Sequence, residues 1–213
     1  MRSPHLALAV TAALVLSACS GDDDSEPAGE RERPATTTTV AAPADVELER
    51  GEAVVASAGG DIVLDEATQQ ALVDVAQRYV DAAVLQPLAD GTVGDEYALL
   101  FDANVQASAT GTDRAVLTDE GIPTPESTPT VTATPVRIDA LAGPDGTLAL
   151  LAGTFELDID AESASGPVGI RRATELTLAP GTDGNWLVSA YRVTVERDLP
   201  DAAGSTTTTA AAG

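Results

Sequence analysis

Residues Thr130 to Asp160 read TVTATPVRIDALAGPDGTLALLAGTFELDID, and the spacing of the apolar positions in this stretch decides the fold. Val136 and Ile138 on one side of Gly143-Pro144-Asp145-Gly146, and Leu151, Phe155, Leu157 and Ile159 on the other, keep a period of two. That is the period of a strand with one buried face. Gly-Pro-Asp-Gly is turn chemistry, because proline presets its φ while aspartate and glycine close a tight reversal. The stretch therefore reads as two antiparallel strands, Thr130 to Ala142 and Thr147 to Asp160. Counting outward from the turn sets Ala140 opposite Ala149, Ile138 opposite Leu151 and Val136 opposite Gly153. Glu156, Asp158 and Asp160 then project from the other face. Pro135 removes a ladder donor, so the first strand is expected at an edge or bulged.

Downstream the alternation continues. Ser163 to Pro167 is a looser connection to Val168, Ile170, Leu176 and Leu178, and Pro180-Gly181-Thr182-Asp183-Gly184-Asn185 turns the chain into a strand from Trp186 to Arg197. The count places Leu178 opposite Trp186 and Leu176 opposite Val188. The Thr/Ala-rich end, residues 201–213, reads from its composition as a disordered tail.

Upstream the period changes. Gly121-Ile122-Pro123-Thr124-Pro125 and Pro129 interrupt any helix. Before them, Asp95 to Ala107 carries Tyr97, Leu100, Phe101 and Val105 on one face, and Thr112 caps a short turn from Asp113 to Leu117. Asp65 has the chemistry of an N-cap for a longer helix. Ala71, Leu72, Val75, Ala76, Tyr79, Val80, Ala83, Val84 and Leu88 line its apolar stripe, Asp74, Gln77, Arg78 and Asp81 its polar side, and Gly91 its end. For Val46 to Leu64 a short hairpin and a helix followed by a turn fit equally.

Helices followed by a meander of strands, closing on Trp186-Leu187-Val188-Ser189-Ala190-Tyr191-Arg192-Val193, resemble the NTF2-like fold over roughly Ile62 to Asp198. The resemblance implies an α+β domain across 46–200. In it a cone forms where a long N-terminal amphipathic helix packs on a four-stranded curved antiparallel sheet. It also implies a cavity that some relatives use for catalysis and others for ligands or partners, and an outer sheet face through which such domains dimerise. Relatives similar to ketosteroid isomerase pair an Asp base with a Tyr and a protonated carboxylic acid. The parts available here are Tyr79, Tyr97, Asp102 and Tyr191, and they do not match that pattern.

Read from the residues, Tyr79 and Tyr97 are core side chains with hydroxyls at the rim, and Trp186 is a core or edge anchor. Arg171, Arg172 and Arg192 suit either an anionic ligand or neighbours such as Glu175 and the Glu156 to Asp160 row. That acidic row is a solvated sheet face, or alternatively a weak cation site. Asp22-Asp23-Asp24 lacks the spaced ligands of a calcium loop.

The N-terminus supplies an address. Arg2 and the apolar run Leu6 to Leu16 have the layout of a secretory signal, too short to span a bilayer. Leu16-Ser17-Ala18-Cys19 resembles the lipobox of bacterial lipoproteins. This implies cleavage between Ala18 and Cys19, lipid attachment at Cys19, and a place on the extracytoplasmic face of the cell membrane. Residues 1–18 are then the signal and 19–45 a disordered tether, which at about 25 flexible residues holds the domain roughly 25 to 30 Å from the lipid.

With 11 basic and 34 acidic residues the net charge is −23, which opposes nucleic acid and anionic lipid surfaces as partners. The one histidine is His5 and the one cysteine is Cys19. Downstream of Cys19, Ser-His-Asp and Cys-His catalysis and His or Cys zinc sites are thus excluded, as is an internal disulfide. No cofactor and no metal is expected. The chain reads as a membrane-anchored lipoprotein with a non-catalytic domain for a ligand or an envelope partner. Its alternatives are a carboxylate or tyrosine-based lyase or isomerase, and a homodimerising assembly module.

Overall fold

Asp65 opens the main helix as its chemistry requires, its Oδ1 accepting the Thr68 N–H at 2.8 Å. α1 (Glu66–Val80) runs through a π-helical turn (Asp81–Leu85) into α2 (Gln86–Asp90), and Gly91 ends it in the left-handed region at φ 79°. The computed structural model describes residues 44–57, 59, 62–200 and 204–213. The signal, Ala18, Cys19 and the tether up to residue 43 lie outside the described residues.

The π-helical turn has a chemical cause in Pro87, which has no N–H to donate backward. The Gln86 N–H reaches the Asp81 carbonyl instead. The carbonyls of Ala82 and Ala83 are left over, and they accept N–H groups from Gly94 at 2.9 Å and from Asp119 at 3.0 Å. One proline thus docks two later segments onto the helix. A 3-10 turn (Tyr97–Leu100), α3 (Ala103–Thr110) and α4 (Arg114–Leu117) follow.

The sheet corrects the expected architecture. In place of a four-stranded antiparallel sheet, seven strands form one mixed sheet in the order β1-β3-β4-β5-β6-β7, with β2 also pairing β4. The NTF2-like assignment falls with it. The strands are β1 (Arg50–Ser57), β2 (Thr130–Ala133), β3 (Val136–Ala142), β4 (Leu148–Ser163), β5 (Gly166–Pro180), β6 (Trp186–Asp198) and β7 (Thr206–Ala212). β1 lies parallel to β3, and all other pairs are antiparallel. The region Val46 to Leu64 is thus neither hairpin nor helix. It supplies a strand whose parallel partner is reached by a helical crossover.

The tail is corrected too, since Thr206–Ala212 pairs along β6. Pro135 splits the expected first strand in two, leaving β2 at an edge while β3 is covered by β1. The register differs from the count, by two residues between β3 and β4. Ala140 faces Leu151 and Ile138 faces Gly153, with a bulge at Leu141/Ala142. Leu178 faces Val188 and Leu176 faces Tyr191, with a bulge at Thr177/Leu178. Between β3 and β4 a shift of two keeps every side chain on its face. On β6 the shift is two at Leu178 and three at Leu176, and the buried face passes from Val188 to Tyr191, Val193 and Val195 across the bulge.

The helix lies against the inner face. Leu72, Tyr79, Val80 and Leu88 are buried with Ile138, Leu151, Phe155, Leu157, Ile159, Leu176 and Val193. Helix and sheet meet closely at Gly153, where a Cβ would lie 2.6 Å from Leu72 Cδ2.

Candidate functional site

The inner face of β5 alternates Ile170, Arg172, Thr174, Leu176, so an arginine occupies a core position. Arg197 sits at the equivalent parity of β6, two residues past Val195. Both reach under α4 to Asp119. Arg172 Nη2 and Arg197 Nη2 each donate to Asp119 Oδ1 at 2.9 Å. Asp119 is 0% exposed and Arg172 1%.

The same two guanidinium groups solve a backbone problem. A helix end leaves its last carbonyls without intrahelical donors, and the end of α4 is buried. Arg197 donates to the carbonyls of Ala115 at 3.2 Å and Thr118 at 3.0 Å. Arg172 Nη1 donates to Val116 at 3.1 Å and Leu117 at 3.3 Å. Tyr79 joins the cluster, its hydroxyl donating to the Leu117 carbonyl at 2.7 Å and accepting from Arg172 Nη1 at 3.1 Å. Four carbonyls, one carboxylate and one phenol are thus held by two cations. The Asp119 amide, bonded to Ala83 on the π-helical turn, ties the cluster to the main helix.

Burial pushes the Tyr79 hydroxyl up from its ordinary pKa, against the opposing effect of the Arg172 charge. For Arg172 burial works against the charge, and the Asp119 carboxylate and Tyr79 outweigh it, so its pKa is raised. Asp119 Oδ2, Arg172 Nε and Arg197 Nε have no protein partner. A general base or an anion site needs access for its substrate. With Asp119 and Arg172 closed off from solvent, this arrangement fastens the segment after α4 to helix and sheet.

The other tyrosines are similarly committed. The Tyr97 hydroxyl donates to the Ala109 carbonyl at 2.7 Å and that of Tyr191 to Asp113 Oδ2 at 2.6 Å. Burial raises both pKa values, and for Tyr191 the Asp113 carboxylate adds to it. The Tyr79 and Tyr97 hydroxyls are therefore inside the core, where the sequence placed them at the rim. Asp102 is an N-cap, accepting the Asn104 and Val105 N–H groups at 2.8 and 3.3 Å. Trp186 is half-buried opposite Pro180.

The remaining polar candidates stand on the outer face. Arg171 pairs with Asp158 at 3.4 Å, and Arg192 is cross-strand from Glu175. Glu156, Asp158 and Asp160 face Ala173, Arg171 and Gly169. Among the described residues no group of three His, Cys, Asp or Glu forms a metal site. Sequence reasoning grouped Arg171, Arg172 and Arg192, but the sheet parity sends Arg172 inward and the other two outward. Asp119 and Arg197 were missed. For Arg197 the sign was present in its place on the apolar parity of Val193 and Val195, whereas Asp119 sits in a loop with no periodicity.

No family model, curated protein or solved structure matches this chain. The class that fold and site define is a seven-stranded mixed sheet with one face covered by helices and a charge cluster between the layers.

Proposed function

We propose that this chain is a lipid-anchored, extracytoplasmic, non-catalytic domain that binds an envelope partner through the open face of its sheet. The observation that carries the reading is where the chemistry-bearing side chains are used. Asp119, Arg172, Arg197 and the Tyr79 and Tyr97 hydroxyls are consumed by carbonyls and by one another, and the Tyr191 hydroxyl by Asp113. The outer face of β4, β5 and β6 presents Glu156, Asp158, Asp160, Glu175, Glu196 and Asp198 with Arg171 and Arg192. Such a face suits a basic partner, because complementary charge steers encounter and rejects acidic competitors. The lipobox-like Leu16-Ser17-Ala18-Cys19 supports the anchor.

Two variants test the two halves. Cys19→Ala is expected to leave the protein unacylated and released from the membrane fraction, and retention there contradicts the anchor. Asp158→Lys with Glu196→Lys is expected to abolish cross-linking to the envelope proteins captured by the parent chain, and an unchanged set of cross-links contradicts the docking face.

A further inference from the structure

Three large apolar side chains stand exposed together on the open face, beside the β1 edge. Val54 is 43% exposed, Leu141 48% and Leu150 36%. The register joins Leu141 to Leu150, with Ala56 opposite Leu141 in β1, and Val54 precedes Ala56 on the same face, opposite Asp139. Scattered exposed leucines need no explanation, but a contiguous stripe running to a sheet edge does. Among the described residues no strand pairs with the outer edge of β1. From Ala53 to Ser57 that edge carries no charge and no proline, while Arg50, Glu52 and a register irregularity stand at the other end of β1. Charges, prolines and bulges are the devices that keep sheet edges from pairing.

We propose that β1 is a self-association edge, through which two copies of this chain pair antiparallel about a twofold axis at Val54. Charge decides the geometry. Stacking two open faces sets sheets about 10 Å apart, bringing the acidic rows of β4 to β6 together within roughly one Debye length. Pairing at β1 avoids this. β5 is three strands from that edge, so at about 4.8 Å per strand the two β5 rows lie roughly 33 Å apart, several Debye lengths at physiological ionic strength. At the seam Val54 meets Val54 of the second copy and Ala53 meets Val55, with no like charges opposite. The two apolar stripes then adjoin across the edge. This inference does not depend on acylation.

The test uses the full chain with Cys19→Ser, which removes the one cysteine. Residues directly opposite across an antiparallel seam have Cβ atoms about 4.5 to 5.5 Å apart, near disulfide geometry. Val54→Cys in this background is expected to form a covalent dimer at least about tenfold faster than Leu99→Cys, at a 71% exposed position in the 3-10 turn Tyr97–Leu100. In sedimentation the Cys19→Ser chain is expected to dimerise and its Val54→Lys variant to remain monomeric with an unchanged circular dichroism spectrum. Equal oxidation at the two positions, or a dimer that survives Val54→Lys, overturns the proposal. A parent chain that stays monomeric overturns it too, as does cross-linking of Val54→Cys to a different protein and not to itself.

Discussion

Arg172 and Asp119 belong to a class of residue that is costly to bury and more costly to disrupt. Removing one member of a buried ion cluster leaves an uncompensated charge and typically costs about 3 to 5 kcal/mol. Asp119→Ala strands two guanidinium groups, and Arg172→Met strands the Val116 carbonyl and leaves Asp119 to Arg197 alone. Each is expected to lower the denaturant midpoint by a stability change in that range. Arg171→Ala, which loses an exposed pair with Asp158, is expected to cost no more than about 0.5 kcal/mol. Equal losses at positions 171 and 172 would contradict the inward and outward assignment.

The tyrosines make a second prediction, on pH. Tyr79 and Tyr97 have native pKa values raised by burial. Their contribution is fully present below about pH 10, where unfolded tyrosine is still protonated. It falls as pH rises from there toward the native values. Each is expected to remove about 1.4 kcal/mol of stability per pH unit above that point. Tyr97→Phe should flatten the alkaline limb of a stability profile, and an unchanged slope would contradict the buried-hydroxyl geometry.

Among the elements, the main helix was the most legible. Asp65, the stripe from Leu72 to Leu88 and Gly91 are local signals, and each is realised in place. Leu72→Ala is expected to cost about 2 to 5 kcal/mol, from lost transfer energy and a residual cavity at Gly153. Exposed Arg78→Ala is expected to cost within about 0.5 kcal/mol. Similar losses in urea titrations would mean that the stripe does not face the sheet. The strand faces were legible for the same reason, because alternation is local. The registers were not, since the bulges at Leu141/Ala142 and Thr177/Leu178 leave no mark in an apolar pattern. β1 escaped because its partner β3 is distant in sequence, and β7, which follows its partner β6 directly, because its composition is that of a tail. Thr206 to Thr209 bury little, with Ala210 the buried residue of that strand, so β7 depends on the backbone groups that β6 offers and not on periodicity. Its β-branched threonines were the available hint.

For the whole molecule, the order of helices before the meander was visible, but the unforeseen first strand, the added last one and the split at Pro135 changed the architecture from a four-stranded antiparallel cone to a seven-stranded mixed sheet. The site was legible only in its parts. Arg172 lay on an apolar parity, yet its partner Asp119 is fixed by Pro87, whose lost N–H frees the Ala83 carbonyl on another element. Such a coupling needs three segments at once. The resulting molecule has a filled interior and an open acidic face, and its interior cluster acts as a fastener between helix, loop and sheet.

A fastener and a lid differ in how often they open. Amide hydrogen exchange at Asp119, whose N–H is bonded to Ala83, separates them. The account predicts protection at Asp119 comparable to that of the central β5 and β6 amides, and its loss in Arg172→Met while those strands stay protected. Rapid exchange at Asp119 in the unaltered chain would contradict it, because the segment would then be opening onto a site that solvent and substrate can reach.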